Sequence, residues 1–434
     1  MKIEINETKK WQFSLTLKII LLAVMGLLLL IPLEMIKSVI RERQLNSEKV
    51  RQEIAMQWAG KQNVAGPVLN VPVRIIPKDD KDQPYKVIYH IMPEDLNISG
   101  NVTTEKRHRS IYEAVVYNSV MKLSGEFQIP EISTEEKSEI LWKESYLTLG
   151  ISDNRGIKGN VVLNSGDWVA DAVPGLKDTE VFGTGISFPL AVNENPGHLN
   201  FDLALNLSGS EDLSFAPVGK TTRVTLTSPW TAPGFNGNFL PEQRSIDDSG
   251  FSASWLITNL NRNFPQSWSG SEFKPAGDSF GVEFVLQADH YQKSQRSAKY
   301  GILFIALTFL ALVFAEVTTG ENIHIMSYLL VSLALVLFFS MLTALSEHIG
   351  FNPAYLIASL STIVMVVLFL WRLIKNHKPV VLTGLLLLFL YSFIFILLTM
   401  NDYAFLAGNI GLFILLALTM AFSVRLKLFR RQES

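Results

Sequence analysis

The sequence predicts an α+β membrane protein with three parts in order: an N-terminal transmembrane helix, a large all-β antiparallel domain of sandwich type, and a C-terminal bundle of five transmembrane helices. Two observations carry this prediction. Apolar residues make up 48% of the 434 residues and charged residues 18%, and the apolar ones are concentrated at the two ends of the chain. The middle of the chain instead alternates short apolar and polar runs, which is typical of β-strands.

The first apolar run predicts a transmembrane helix over residues 14–40, after a cytoplasmic N-terminus of residues 1–13. Its centre, residues 19–33, contains no charged side chain and follows Trp11 and Lys18, residue types that anchor helices at membrane interfaces. No run of small residues typical of signal-peptide cleavage follows it, so we expect an uncleaved anchor.

The segment after this anchor changes character twice. Residues 41–60 predict an amphipathic stalk helix, because Val50, Ile54 and Trp58 recur at intervals of four with charged residues on the other faces. This stripe could pack on the following domain or lie among lipid headgroups. Residues 61–295 then predict the β-rich domain, since runs such as VLNVPVRIIP are rich in Val and Ile and are separated by Gly, Pro, Asn and Asp.

The C-terminal part contains five further apolar runs, each about the 20 residues that a helix needs to cross roughly 30 Å of hydrocarbon. They predict a five-helix bundle over residues 300–424, followed by a basic cytoplasmic tail at 425–434. The predicted spans are 300–317, 325–345, 354–371, 379–400 and 404–424.

The distribution of lysine and arginine predicts the orientation of these spans. Ten basic residues lie in the connections assigned to the inside, and none lies in the short outer connections 346–353 and 401–403. By the positive-inside rule both termini are cytoplasmic and the β domain is exported. Lys37, Arg41 and Arg43 would lie on the outer side, but long translocated domains largely escape the rule. The ten residues are Lys2, Lys9, Lys10, Arg372, Lys375, Lys378, Arg425, Lys427, Arg430 and Arg431.

The chain contains, in this order, the strings RERQLNSEKVRQEIAMQWAGKQNVAGPVLNVPV, GISDNRGIKG, LNLSGSEDLSFAPVGKTTRVTLTSPW, PGFNGNFLP, SEHIGFNPAYLIAS and NDYAFLAGN. Together, and over nearly the whole chain, they resemble the CreD family of bacterial inner-membrane proteins. Small departures occur at Val73 and Ser110, and neither position carries assigned chemistry. The resemblance implies a multi-pass protein of the inner membrane with a periplasmic domain, regulated by a two-component system and linked to cell-envelope integrity and the stress response. It implies no established reaction.

Local motifs predict neither a cofactor site nor a catalytic site. The chain has no cysteine and a net charge of −2, which removes thiolate chemistry and any general electrostatic case for nucleic acid. Its histidines are scattered singly without metal-ligand spacing. SDNRG at 152–156 predicts a hairpin loop in which Gly156 supplies a positive φ. The seven histidines are His90, His108, His198, His290, His324, His348 and His377.

Ionisable side chains near hydrocarbon are the best candidates for a functional site, because they need water or a partner. Under the predicted topology Glu34, Glu347, His348 and Asp402 lie at the outer membrane face, whereas Glu316 belongs to the inner face. Three readings stay open for the outer group: helix ends at a turn, a polar cluster that binds a ligand or couples movement, or a catalytic or proton-relay site. We refer to Glu34, Glu347, His348 and Asp402 as the predicted outer cluster.

Three function classes follow from these features. The first is a non-enzymatic envelope protein that contacts membrane lipid and whose β domain meets an unknown periplasmic or cell-wall partner. The second is a transporter or channel, although the last five spans show no inverted repeat. The third is a membrane enzyme acting on a lipid-linked substrate at the outer face of the bundle. The sequence favours the first and leaves the oligomeric state open.

Overall fold

The computed structural model describes residues 15–77, 83–132, 137–166, 168–190, 192–284, 290–319 and 322–399, with isolated positions between 406 and 420. The chain divides into two compact units. The first, here the membrane unit, comprises Met1–Ser47 and Ala288–Ser434. The second, here the β unit, comprises Glu48–Gln287.

The described part of the membrane unit consists mainly of apolar helices. The stretches Leu17–Trp58, Gly301–Thr319, Ile325–Ile349, Phe351–Leu373 and His377–Thr399 are long and apolar enough to cross a membrane. This confirms the predicted N-terminal helix and four of the predicted C-terminal ones. The fifth, at 404–424, lies largely outside the described residues. The helices of the chain are α1 Leu15–Leu28, α2 Leu30–Trp58, α3 His290–Lys299, α4 Gly301–Thr319, α5 Ile325–Ile349, α6 Phe351–Leu373 and α7 His377–Thr399.

Two local features explain where these helices begin and end. The first span is interrupted at Leu29, because Pro32 has no N–H to donate to the carbonyl of Leu28. Between α5 and α6 a single residue, Gly350, adopts φ 78° and donates its N–H to Ser346. This φ lies in the left-handed region, which glycine adopts readily because it has no Cβ. Pro353 falls in the first turn of α6, where its missing N–H costs nothing.

The membrane unit has an aromatic centre and an apolar exterior. Phe304, Phe338 and Tyr391 stack with ring centroids 4.5 to 6.3 Å apart. Tyr355 in α6 is buried and donates a 2.9 Å hydrogen bond to the carbonyl of Tyr391. Leucines on the outer face of α7, such as Leu382, are exposed. An element that is apolar inside and outside suits a lipid environment.

The β unit is built from eighteen described strands. They are β1 Gln62–Ile76, β2 Tyr85–Ile91, β3 Asp95–Arg109, β4 Tyr112–Gln128, β5 Lys137–Ile140, β6 Tyr146–Ile151, β7 Val162–Ser165, β8 Trp168–Asp171, β9 Val173–Pro174, β10 Gly185–Pro189, β11 His198–Ser210, β12 Asp212–Phe215, β13 Thr221–Ser228, β14 Pro233–Gly237, β15 Gln243–Asp247, β16 Gly250–Thr258, β17 Ser267–Ser269 and β18 Phe280–Phe284.

These strands form two sheets around one apolar core, which confirms the predicted sandwich class. One sheet has the order β14-β18-β12-β1-β6-β10-β9, with β2 and β5 also paired to β1 and β17 paired to β2. The other has the order β15-β16-β13-β3-β4-β11-β7-β8. Most pairs are antiparallel, but β1 runs parallel to β12 and β3 runs parallel to β13. Inward residues of both sheets, such as Leu123 and Leu213, belong to the same buried cluster.

The part of α2 within the β unit packs on that unit, as one of the two readings of its apolar stripe expected. Ile54 is buried, and the indole nitrogen of Trp58 donates to the carbonyl of Tyr117 at 3.4 Å. Glu53 forms an ion pair with Arg109 at 2.6 Å. The stripe therefore covers protein rather than lipid.

The SDNRG segment does not form the predicted hairpin loop. Residues Asn154–Gly156 form a 3-10 turn, and Gly156 has no left-handed backbone. Glycine is needed there for a close approach instead, since a Cβ at Gly156 would lie 2.2 Å from the carbonyl oxygen of Ser208. The carboxylate of Asp153 accepts hydrogen bonds from the N–H groups of Gly60 at 3.0 Å and Arg155 at 3.1 Å. The segment thus ties the start of β1 to the rest of the unit.

Candidate functional site

The predicted outer cluster is only partly described, because Asp402 lies outside the described residues. Glu34 pairs with Lys37 one turn further along α2 at 2.6 Å, and its side chain is 67% exposed. Glu347 accepts a 3.0 Å hydrogen bond from the hydroxyl of Tyr291. His348 is exposed. Among the described residues no hydrogen bond or ion pair joins Glu34, Glu347 and His348, so their coupling stays a prediction.

Helix α3 explains the surroundings of Glu347. Tyr291 is buried, and Lys293, two residues later in α3, lies over the ring of Phe351 with its Nζ 5.6 Å from the centroid. The segment from Glu347 to Phe351 therefore contacts a helix instead of only water. Sequence reasoning missed this contact because HYQKSQRSAK at 290–299 is polar and begins within the range predicted as β-rich, 61–295.

A buried ion pair in the membrane unit was not predicted. Lys18 in α1 lies with its Nζ 2.5 and 2.6 Å from the two carboxylate oxygens of Glu316 in α4. The side chains are 9% and 15% exposed. Lys18 also donates to the carbonyl of Ile323 at 2.6 Å, and Tyr328 donates to Glu316 at 3.0 Å. Each charge is thus matched by an opposite charge and by additional hydrogen bonds, as a low-dielectric site requires.

The ion pair fixes the relative direction of two helices. Lys18 is near the start of α1 and Glu316 near the end of α4, while a Cβ at Gly301, the first residue of α4, would lie 2.7 Å from Leu33 in α2. The first span and α4 are therefore antiparallel neighbours. The chain leaves the first span and returns to α4 at the same end of this pair.

A second group of polar residues lies in the β unit, around His90 at the end of β2. His90 has no exposed surface; its Nδ1 is 2.7 Å from Oδ1 of Asn70 and its Nε2 is 3.2 Å from Glu180. Asp178 accepts a short hydrogen bond from the hydroxyl of Tyr146. One ligand atom each of His90, Asp178 and Glu180 lies within 4.8 Å of the others. These three residues are called the His90 cluster below.

Burial dominates the electrostatics of the His90 cluster. It lowers the pKa of His90 below its ordinary value, although the hydrogen bond to Glu180 acts in the opposite direction. Burial and the Asp178 carboxylate both raise the pKa of Tyr146. The imidazole is therefore mostly neutral near pH 7, and the Tyr146 hydroxyl keeps its proton. Spacing rules could not find this group, because 88 residues separate His90 from Asp178 in the sequence.

A polar cleft of about 310 Å³ opens at β13, β15 and β16 of the β unit. Six of its ten lining residues carry a hydroxyl or amide side chain. Asp247 accepts hydrogen bonds from the N–H and hydroxyl of Ser249, and these bonds lower the pKa of the Asp247 carboxyl. The carboxylate is thus a weak base. The lining residues are Asn101, Thr227, Ser228, Pro229, Ser245, Asp247, Ser249, Gly250, Phe251 and Ser252.

Comparison with known proteins assigns the chain to a family. The sequence model of the family described as "Inner membrane protein CreD" matches residues 14–428. A protein of Escherichia coli (strain K12) named Inner membrane protein CreD is 36% identical over 402 residues, which cover 90% of this chain and 88% of that protein. The match includes the first span, the β unit and the four described C-terminal spans. The chain therefore belongs to the CreD family of inner membrane proteins.

Proposed function

We propose that this protein is a non-enzymatic component of the bacterial envelope stress response, anchored in the inner membrane, whose β unit lies in the periplasm and binds an envelope partner. The antiparallel contact between the first span and α4 carries this proposal. Because the chain leaves and re-enters the membrane at the same end of this helix pair, everything between them belongs on one side of the bilayer. The ten lysines and arginines in the inner connections favour the periplasmic side.

The polar cleft is the place where we expect the partner to bind. Its serine, threonine and asparagine side chains offer donors and acceptors to a hydroxylated or amide-bearing surface, such as cell-wall material. Catalysis is less well supported there. A serine nucleophile needs an adjacent base held by a third group, but histidine and lysine are absent from the residues that line the cleft, and Asp247 is a weak base.

The location is tested with single cysteines in this cysteine-free chain. Leu260, which is 91% exposed in the β unit, and Lys375 in the link between α6 and α7 are replaced in turn. In intact cells an impermeant thiol reagent should label Leu260→Cys, while Lys375→Cys should react only after the membrane is opened. The unsubstituted chain gives the background. Labelling of Lys375→Cys alone in intact cells would invert the topology and contradict the proposal.

The role is tested by obstructing the cleft. Ser245 is exposed in β15 at the cleft, whereas Val169, 69% exposed in β8, lies at the opposite edge of the same sheet. In cells that depend on this chain, Ser245→Arg should reduce survival of detergent stress at least about tenfold, whereas Val169→Arg should not. Both variants must reach the membrane in equal amounts. Equal survival of the two variants, or survival that does not depend on the chain, would overturn the role.

One observation favours a transporter as a second candidate. Ionisable residues inside a membrane helix bundle often mark an ion pathway, and Lys18 and Glu316 are such a pair. Their direct contact and their bonds to Ile323 and Tyr328 nevertheless leave both charges satisfied, which suits a structural pair. Flux of protons or sodium into liposomes containing the protein, abolished in Glu316→Leu, would favour transport over the proposed binding role.

A further inference from the structure

We infer that His90, Asp178 and Glu180 form a binding site for one divalent transition-metal cation, of which Zn²⁺ is the probe. The inference is independent of the proposed function, because the site lies in the β unit away from the residues that line the polar cleft. It depends on three observations: the orientation of Asn70, the arrangement of the two carboxylates, and the donor set they form with His90.

Asn70 determines which nitrogen of His90 carries the proton. The amide nitrogen of Asn70 is 3.2 Å from the carbonyl oxygen of Val68 and 3.5 Å from that of Tyr146, and it also donates to the hydroxyl of Thr148. Carbonyl oxygens only accept hydrogen bonds, so the nitrogen must be on this side. Oδ1 of Asn70 therefore faces His90, and Nδ1 of His90 must be the donor.

The neutral imidazole then presents a lone pair to another acceptor. With the proton on Nδ1, Nε2 of His90 points its lone pair at Oε2 of Glu180, 3.2 Å away. Both atoms are acceptors, and Nε2 has no exposed surface from which to reach water. A cation between them, either a proton or a metal ion, would bond to both atoms. A metal-binding histidine normally donates its other ring N–H to an oxygen, which is the role that Asn70 fills here.

The carboxylates are held as metal ligands are. Asp178 accepts from the Tyr146 hydroxyl and, through Oδ1, from the N–H of Glu180 at 3.0 Å. These bonds fix the carboxylate and leave further lone pairs on its oxygens. Glu180 is 39% exposed, so the fourth position of a tetrahedral ion can face solvent and the ion has access from outside.

The donor set selects the class of metal. One imidazole nitrogen and two carboxylate oxygens suit Zn²⁺ and similar transition cations. Calcium and magnesium prefer oxygen ligands throughout, so a nitrogen donor at the most buried position disfavours them. The competing occupant is a proton, which would make His90 an imidazolium that donates to Glu180.

The test uses the full chain in detergent, stripped with a chelator and titrated with Zn²⁺ near neutral pH. Glu180→Gln keeps the size of the side chain and removes its charge, and the partly exposed position leaves the fold intact. Glu113→Gln is the matched control, since Glu113 is 40% exposed and also lies beside a histidine, His108, at 3.6 Å, but with Lys106 close by. We expect one tight equivalent in the parent chain, weakened at least about tenfold in Glu180→Gln and unchanged in Glu113→Gln.

A second variant separates ligand loss from loss of fold. Tyr146→Phe removes only the hydroxyl that holds Asp178, and it should weaken Zn²⁺ by about 10-fold while the zinc-free protein keeps its circular dichroism spectrum. Substitution of Co²⁺ should give the visible absorption bands of a nitrogen- and oxygen-ligated tetrahedral ion. If the parent chain and Glu180→Gln bind Zn²⁺ equally, or if neither binds it, the cluster is an imidazolium–carboxylate pair and the metal site is refuted.

Discussion

At the scale of single residues, the buried pair of Lys18 and Glu316 has the clearest energetic consequence. Removal of one partner leaves the other charge without compensation in a low-dielectric site, so Lys18→Met and Glu316→Leu should each destabilise the membrane unit by about 3–5 kcal/mol. The double variant should lose less than either single one, because no unpaired charge remains. Unfolding of the full chain in mixed detergent micelles measures all three.

The pair of Glu34 and Lys37 provides the control for that measurement. It has the same chemistry and a similar distance, 2.6 Å, but Glu34 is 67% exposed. Glu34→Leu should therefore cost less than about 1 kcal/mol. If Glu316→Leu destabilised the protein as little as Glu34→Leu, burial of the ion pair between Lys18 and Glu316 would make no difference to its contribution to stability. The ion pair of Lys18 and Glu316 could have been predicted from the sequence, because the expected topology already placed the start of the first span and the end of the second span at the same membrane face.

Asp153 gives a prediction that depends on pH. The Arg155 guanidinium and the N–H groups of Gly60 and Arg155 hold the pKa of this carboxyl well below its ordinary value. A carboxyl with a lowered folded-state pKa stabilises the fold above about pH 4, its unfolded-state value, and this contribution is lost as the pH falls towards the folded-state pKa. Asp153→Asn should therefore cost about 1–3 kcal/mol near pH 7 and progressively less below about pH 4.

Thermal unfolding followed by circular dichroism at several pH values measures this difference. Asp202→Asn is the matched control, since Asp202 also pairs with a basic residue, Lys122 at 2.7 Å, but is 46% exposed. We expect a small cost there at every pH. A cost of Asp153→Asn that stayed constant between neutral and acidic pH would show that protonation of Asp153 costs the fold no stability, and it would contradict the lowered pKa.

At the scale of elements, the sequence was sufficient where one local signal dominates. Hydropathy located the described spans and, between the predicted spans 325–345 and 354–371, the link between α5 and α6. Contacts between segments that are distant in the sequence could not be predicted. Nothing local marks β1 as the parallel neighbour of β12, because residues 62 and 213 meet only in the folded sheet. The same holds for the His90 cluster. Helix α3 was missed because its polar sequence resembles a loop, and the burial of Tyr291, which donates a hydrogen bond to Glu347 in α5, becomes evident only in the folded structure.

The contact between α3 and α5 predicts a measurable coupling. Tyr291→Phe removes the donor of this hydrogen bond, and Glu347→Gln replaces its charged acceptor by a neutral amide oxygen, so their effects on unfolding should depart from additivity by about 0.5–3 kcal/mol. Glu34→Gln and Glu347→Gln, which share no contact, should add within about 0.5 kcal/mol. The pair Glu347→Gln and Asp402→Asn then tests the predicted outer cluster directly. Additivity in that pair would leave Glu347 as a partner of α3 alone.

At the scale of the whole molecule, the two units differ in what stabilises them. The membrane unit is apolar on its outer surface and needs lipid or detergent. The β unit has one apolar core shared by both sheets, with Leu123, Leu203 and Phe215 fully buried. Sandwich domains with a core of this kind fold without help from a membrane. Residues 61–287 should therefore be soluble when expressed alone, with a circular dichroism spectrum dominated by β-structure.

The end of α2 refines this last prediction. Because Ile54 and Trp58 cover part of the β unit and Glu53 pairs with Arg109, a fragment of residues 48–287 should be more stable than one of residues 61–287, by at least about 2 kcal/mol. Chemical unfolding of both fragments compares them, and Trp58→Ala in the longer fragment should remove most of the difference. If the two fragments unfold at the same denaturant concentration, the helix contributes nothing to the β unit. A spectrum dominated by helix in either fragment would refute the independent β fold.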